Sequence, residues 1–252
     1  MRVLVTGGTG VVGTGLIPEL LTRGHAVRLL ARGADDAVRE WPAGVESCRA
    51  DVTRPEELIG VADDCDAVVH VSGIVAEVPP DVTYERVNAG GTRNLLAEAV
   101  RAGLPKFVFI SSLGADRGGS AYHVSKREAE VSVSRYAGQW VVLRSGNVYG
   151  PGDEVISKFL SMLRTLPAVP VIGNGLHEFQ PIWYADLGKA IARAVESDVA
   201  PGTYELAGAD TTSPNDLLSR LERLTDRHPI RIPVPEFLAS LATKIANLTG
   251  LS

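Results

Sequence analysis

The run Val3-Leu4-Val5-Thr6, followed at once by Gly7-Gly8-Thr9-Gly10-Val11-Val12-Gly13, leaves this chain few ways to fold. The first four residues read as a buried strand, and Leu16, Ile17, Leu20 and Leu21 then repeat at helical spacing. A strand must therefore turn through glycine directly into a helix. Glycine suits such a turn because the main chain reverses sharply there and another group can approach it closely. Further strand-length apolar runs at 27–31, 67–71, 107–111 and 141–144 are each followed by a helical pattern, and another strand is expected before Asp51.

Strand and helix in alternation imply βαβ units, and nearly unbroken apolar strands imply a sheet covered on both faces. The expected fold class is α/β, a Rossmann-like doubly wound parallel sheet with a small mixed C-terminal substrate region. The core is expected over 1–150 and the smaller region, interleaved with it, over 151–252, where the rhythm breaks into Gly/Pro-rich loops such as 166–177. Thr53-Arg54-Pro55-Glu56 resembles a capping box, and Ser213-Pro214 reads as an N-cap followed by a first-turn proline. The closing segment carries Phe237, Leu238, Leu241, Ile245 and Leu248 with only Glu236 and Lys244 as charges, an amphipathic helix expected to pack on its own core.

At 45% hydrophobic and 22% charged residues the chain is globular in composition. A net charge of −5 gives no overall attraction to nucleic acid or an anionic membrane. No stretch reaches the roughly 18 apolar residues of a membrane helix and no signal-type segment opens the sequence, so a cytoplasmic location is expected. Cys48 and Cys65 lack metal-ligand spacing, so no metal site is expected.

With a strand before it and a helix after it, the loop 6–13 is read as a nucleotide-binding turn, the helix N-terminus offering free N–H groups to a pyrophosphate. An acid about 20 residues on would mark NAD(H). The second strand ends instead in Arg32, a cation suited to a 2′-phosphate, which favours NADP(H). NAD(H) stays open if Arg32 is simply solvated and Asp35 or Asp36 reaches back to the ribose. Asp51, followed by Val52, stands where it would accept the adenine amino group or merely cap a loop.

Past the strand ending at Ser111-Ser112, Tyr122 and Lys126 form a Y-x-x-x-K pair on one helix face, about 5–6 Å apart at Cβ. A lysine that near, with an oxidised nicotinamide, is expected to lower the phenol pKa towards working pH, so that Tyr122 passes a proton to or from a substrate oxygen. His123 lies on another face of that helix and His70 closes a strand, so both are read as packing or surface residues. His177 is a weak candidate in the glycine-rich loop 173–177.

The ordered set formed by the 6–13 loop, Asp51-Val52, Val87-Asn88 with Gly91-Thr92-Arg93-Asn94, Ser111-Ser112, Tyr122 to Lys126 and 144–150 resembles the short-chain dehydrogenase/reductase superfamily, in its extended and atypical branches. That resemblance implies hydride transfer with Tyr122 as acid/base, Lys126 orienting the ribose and Ser112 bonding the substrate oxygen. It places Gly7, Thr9, Gly10, Val11, Val12, Gly13, Arg32, Asp51, Val52, Ser72, Gly73, Asn88, Ser111, Tyr122, Lys126, Ser145 and Gly146 at the cofactor. Asn88 reads equally as a plain helix N-cap, and Ser145 stands where the family more often has proline or tyrosine.

Three functions compete. The first is an NADP(H)-dependent oxidoreductase on a carbonyl or secondary alcohol. The second is a nucleotide-sugar epimerase with tightly held NAD, disfavoured by Arg32 and by the short substrate region. The third is a non-catalytic NADPH-binding protein similar to the accessory subunit of respiratory complex I or to nitrogen-regulator redox sensors. Dehydration is disfavoured because Leu113-Gly114 follow Ser112 where an acid pair would stand. The expected partner is a small-molecule substrate, with a homodimer open.

Overall fold

A computed structural model describes residues 1–153 and 156–235. In chain order the first elements are β1 (Arg2–Thr6), α1 (Val11–Thr22), β2 (Ala26–Ala31), a short α2 (Ala34–Ala37) and β3 (Val45–Arg49). There follow β4 (Ala67–His70), a π-helical turn over Glu85–Gly90 running into α3 (Gly91–Arg101), β5 (Lys106–Ser112), α4 (Ala121–Val133) and β6 (Gln139–Ser145). Then come β7 (Val148–Tyr149), α5 (Ile156–Thr165), β8 (Ala168–Ile172), β9 (Ile182–Trp183), α6 (Tyr184–Glu196), β10 (Gly202–Leu206), α7 (Pro214–Thr225) and β11 (Ile230–Val234).

Two compact units result. The first takes Met1–Ser145 and Tyr184–Leu206, the second Gly146–Trp183 with the described residues from Ala207 onward. In the first unit seven strands form one sheet in the order β10-β6-β5-β4-β1-β2-β3, every pair parallel. This is the expected doubly wound α/β sheet. The chain winds outward from β1 through β2 to β3, then returns to β4 on the other side of β1, so the order reverses between β1 and β4. In such sheets ligands bind at that switch point, beyond the carboxyl ends of the strands.

The apolar runs of the strands are buried as their composition requires, with Leu4, Val68, Phe107 and Phe109 packed against Leu95, Ala99, Ala129 and Val133 of α3 and α4. Helices α1 and α6 cross at two glycines: a Cβ on Gly15 would stand 2.3 Å from the Tyr184 carbonyl oxygen, and one on Gly188 2.4 Å from that of Gly15. At the far end of α6, Lys106 of β5 donates from its buried Nζ to the carbonyls of Ala194, Val195 and Ser197 at 3.3, 2.9 and 2.7 Å. These are last-turn carbonyls that the helix itself leaves unpaired.

The second unit has its own core of Leu163, Val169, Val171, Leu217, Leu218 and Leu221, with β8 and β11 paired in parallel. Ser213 caps α7, accepting the Asp216 amide at 3.2 Å as expected. The capping box at Thr53 does not form. Pro55–Leu58 is a 3₁₀ turn with no side-chain cap, and the Thr53 hydroxyl instead donates to Asp51 at 2.8 Å. The amphipathic closing segment from Glu236 lies outside the described residues.

Candidate active site

β1 delivers Thr6 to the carboxyl edge of the sheet, and the glycines beyond it have separable tasks. Gly7 adopts φ +70°, a left-handed conformation, with Ser72 N only 2.6 Å from where a Cβ would lie. Gly8 is walled in by the tips of Leu29 and Ile17, and a Cβ on Gly13 would stand 2.2 Å from the Gly8 carbonyl oxygen. Gly10 differs, because a Cβ there would meet only the Gly7 carbonyl oxygen at 3.6 Å. Gly10 is also the N-cap of α1, without a side-chain hydrogen bond and without an acid in the first turn. The N-terminal N–H groups of Val11 and Val12, with exposed Thr9 before them, thus border open space and carry the positive end of the helix dipole. Free N–H groups at a helix N-terminus are of the kind that hold an anion such as a pyrophosphate.

Arg32 follows β2 immediately, is exposed, and has no ion pair among the described residues. Of the nearby acids, Asp36 is engaged by Arg39 at 3.4 Å. Asp51 spends one carboxylate oxygen on the Thr53 amide and hydroxyl, while the Val52 carbonyl accepts from Asn94 at 2.9 Å.

β5 brings Ser111 and Ser112 to the same edge of the sheet. Burial sets the Tyr122 phenol above the ordinary tyrosine value, and Ser112 beside it works the other way. Lys126, one turn further along α4, has contacts of its own. Its ammonium is drawn to the Ile110 carbonyl at 3.0 Å and lies 5.0 Å above the Phe109 ring. Burial pushes Lys126 down to about 8, with Glu130 one turn further along α4 opposing the shift. Arg144 clamps that same Glu130 bidentately at 3.0 and 2.7 Å, tying the helix that carries Tyr122 to β6.

Ser111 is buried and its hydroxyl has no hydrogen-bond partner, alone in this respect among the buried side-chain polar atoms described. An orphaned hydroxyl at the switch edge is a second mark of a missing polar ligand. The Ser145 hydroxyl donates to the Ser111 carbonyl at 3.4 Å, and Gly146 begins the second unit.

Behind the serines runs a buried chain whose direction is fixed by donor and acceptor counting. The Ser72 amide donates to Thr6 Oγ1 at 3.3 Å, and Thr6 Oγ1 lies 2.7 Å from His70 Nδ1. His70 Nε2 lies 3.0 Å from Thr92 Oγ1, which itself donates to the Asn88 carbonyl at 2.6 Å. Thr92 must therefore accept from Nε2–H and Thr6 must donate to Nδ1, which assigns the neutral Nε2–H tautomer. Burial holds His70 down to about 3, with the Lys126 charge adding to the effect.

Asn88 is no N-cap. It sits inside the π-helical turn, accepts from the Ile74 amide at 2.8 Å, and donates to the Ile74 carbonyl at 3.2 Å and to Ser125 Oγ at 3.1 Å. Ser125 passes the contact on to the Tyr122 carbonyl at 2.7 Å. A Cβ on Gly73 would fall 3.0 Å from Lys126 Nζ and 3.2 Å from Asn88 Oδ1, a tight approach that glycine avoids.

His123 packs against the Tyr122 ring, 5.4 Å between centroids, and its Nδ1 lies 2.9 Å from the Ser120 hydroxyl that caps α4. His177 belongs to the second unit, with Phe179 beside it at 6.3 Å. Sequence reasoning passed over Tyr84, whose ring meets Tyr122 edge-on at 5.8 Å. Its signal was an aromatic residue just ahead of the Asn88 segment.

The model of the NAD dependent epimerase/dehydratase family matches residues 3–207. The chain belongs to that family. It is 28% identical to photosystem II assembly factor Ycf39 of Synechocystis sp. over 249 residues, 93% of this chain and 71% of the relative. It is 24% identical to the mitochondrial NADH dehydrogenase [ubiquinone] 1 alpha subcomplex subunit 9 of Arabidopsis thaliana, over 92% of this chain and 60% of that relative's length. Among solved structures, the Thermus thermophilus UDP-glucose 4-epimerase in complex with NAD superposes at a TM-score of 0.81 with 27% identity, covering 93% of this chain and 86% of that one. Among the described residues no helix is long and apolar enough to cross a membrane.

Proposed function

We propose that this family member is an NAD(P)-dependent oxidoreductase that moves a hydride between nicotinamide and the carbon of a carbonyl or secondary alcohol. The observation that carries the reading is the half-buried Tyr122 beside Ser112, with Lys126 on the same helix, at the edge that bears the glycine cradle. The nicotinamide nucleotide supplies or accepts the hydride. In the reductive direction Tyr122 gives its phenolic proton to the substrate oxygen as the C=O π bond is replaced by C–H and O–H bonds, and the tyrosinate regains a proton from water. Ser112 holds that oxygen through its hydroxyl. Lys126 binds the ribose and keeps positive charge near the tyrosinate once it forms.

The cradle of Gly7, Gly10 and Gly13 holds the pyrophosphate in this reading, and unpaired Arg32 receives a 2′-phosphate, so NADP(H) is the proposed cofactor. A second reading, a nucleotide-sugar epimerase holding NAD, is favoured by the likeness to the Thermus enzyme. A third, cofactor binding without turnover, is favoured by relatives named as an assembly factor and a respiratory subunit.

The test is to titrate NADPH and NADH separately into purified, cofactor-stripped protein and to identify the nucleotide present on isolation, with Tyr122→Phe alongside. Tighter, exchangeable NADPH is expected, with turnover of a carbonyl lowered at least about 100-fold in the variant and cofactor affinity kept. Tightly retained NAD would turn the assignment to the epimerase, and unchanged turnover in Tyr122→Phe would remove the mechanism.

A further inference from the structure

Residues 74–84, between β4 and α3, form a stiff face without cations beside the Tyr122 phenol. Tyr84 fixes it at two points, its amide donating to Glu77 Oε1 and its hydroxyl to the Val75 carbonyl, both at 2.7 Å. Between these anchors Val78 and Val82 exchange two backbone hydrogen bonds at 2.8 and 3.0 Å, closing the segment into a narrow hairpin-like loop. The Tyr84 ring then rests against Tyr122. The loop is held, and it is held against the group proposed to do the chemistry.

Its surface is unusual for an exposed loop. Val75 is 61% exposed and Val78 51% exposed, and both are among the large apolar side chains left in solvent. No lysine or arginine occurs between Val71 and Glu85. The acids in this stretch are already engaged: Glu77 by the Tyr84 amide, Asp81 by Arg86 at 3.0 Å and Glu85 by Arg93 at 2.6 Å. The loop itself offers an anionic group two carboxylates and no cation, Arg86 beside it being paired with Asp81, whereas an apolar group would find two valines and an aromatic edge.

We propose that residues 74–84 form a preformed apolar wall of the substrate site, and that the substrate is an uncharged, largely hydrocarbon ketone or its secondary alcohol, not a phosphorylated sugar. The inference rests on the hydride-transfer reading above. Tyr84 is a positioning residue in it, setting both the wall and the side of the Tyr122 ring that the wall leaves open.

The experiment uses the full chain loaded with NADPH and two probes, the neutral bicyclic ketone trans-1-decalone and UDP-glucose, each followed by calorimetric titration and by NADPH oxidation. Decalone is expected to bind at least tenfold more tightly than UDP-glucose. The double substitution Val75→Lys, Val78→Lys, at exposed positions, is expected to weaken decalone at least tenfold while NADPH affinity is kept. Tyr84→Phe, which deletes only the anchoring hydroxyl, is expected to raise KM for decalone more than it lowers kcat. Decalone affinity unchanged by the lysines, tighter UDP-glucose binding, or no binding of decalone would each overturn the proposal. Decalone that binds through the valines but is never reduced would sink the hydride-transfer reading and leave the wall standing. Oxidation of NADPH by decalone at equal rates in both proteins would do the reverse.

Discussion

Replacing Ser111 with alanine tests whether the carboxyl edge of the sheet is built for a ligand or merely for folding. The Ser111 hydroxyl is buried and unpaired in the structure, and a buried hydroxyl without a partner costs about 1–3 kcal/mol. Alanine removes that cost and leaves a void of one oxygen atom, which at roughly 24 cal/mol per Å³ returns about 0.5 kcal/mol of destabilisation. The cofactor-free protein should therefore gain about 1–2 kcal/mol, a rise in Tm of roughly 2–8 °C for a chain of this size. If the hydroxyl is the cofactor's partner, the same substitution removes one hydrogen bond from the complex and weakens the nucleotide about 5- to 10-fold. Thermal unfolding of nucleotide-free wild type and variant, paired with calorimetric titration of NADPH and NADH, reads both effects. A variant that loses 1 kcal/mol or more without nucleotide would show that an ordered water satisfies the hydroxyl. A variant more stable yet binding nucleotide as tightly as wild type would show that the orphan is a packing accident. Only opposite signs in the two measurements support the reasoning.

Two further outcomes follow from buried lysines. Lys106→Met keeps the aliphatic stem but strips three carbonyls at the end of α6 of their donor, and should cost roughly 1–3 kcal/mol, or about 2–12 °C in Tm, with little change in cofactor affinity. Lys126 is depressed to about 8 from an ordinary value near 10.5, so above pH 8 the unfolded chain binds more protons at this residue than the folded one. Its contribution to stability should therefore rise between about pH 8 and 10.5, by no more than about 3 kcal/mol, and lie at its lowest below pH 8. Chemical denaturation of wild type and Lys126→Met across that range checks the sign. A difference between the two proteins that stays constant with pH would refute it.

Most of the sheet was legible because its strands are buried on both faces and so appear as apolar runs, as Phe107 and Phe109 show at full burial. The exceptions are the two edge strands, β3, none of whose residues is fully buried, and β10. Its Gly202–Leu206 segment lies at the sheet edge, pairs only with β6 and leaves Thr203, Tyr204 and Glu205 exposed, so it has neither an apolar run nor a clean alternation. Its return to the first unit with α6 depends on Gly15 and Gly188 meeting, a long-range fit between two single residues that no local pattern announces. The same division holds at the site. The glycine loop and the Tyr122–Lys126 pair are local spacings and could be read off directly. Thr53 was misassigned because Asp51, two residues earlier, competes for its hydroxyl. Spacing places Lys126 near Tyr122 but says nothing of the Ile110 carbonyl that holds its ammonium.

His70 shows why a residue without a proton to exchange can still matter to such a site. Its two nitrogens stand between Thr6, the last residue of the strand feeding the glycine loop, and Thr92, which holds the Asn88 carbonyl. A protonated His70 would donate from both nitrogens, leaving the Thr6 hydroxyl hydrogen without an acceptor in a fully buried place and setting a second cation near Lys126. Burial and Lys126 both oppose that charge, so the ring stays neutral and the chain of donors keeps one direction across the working pH range. Asn88 continues it by clamping Ile74 on one side and Ser125 on the other, and Ser125 bonds the Tyr122 carbonyl. The cradle and the helix that carries the phenol are thus joined through a buried run of side-chain hydrogen bonds. Their separation is set by an uncharged imidazole, whose hydrogen bonds do not weaken with salt or titrate near neutrality.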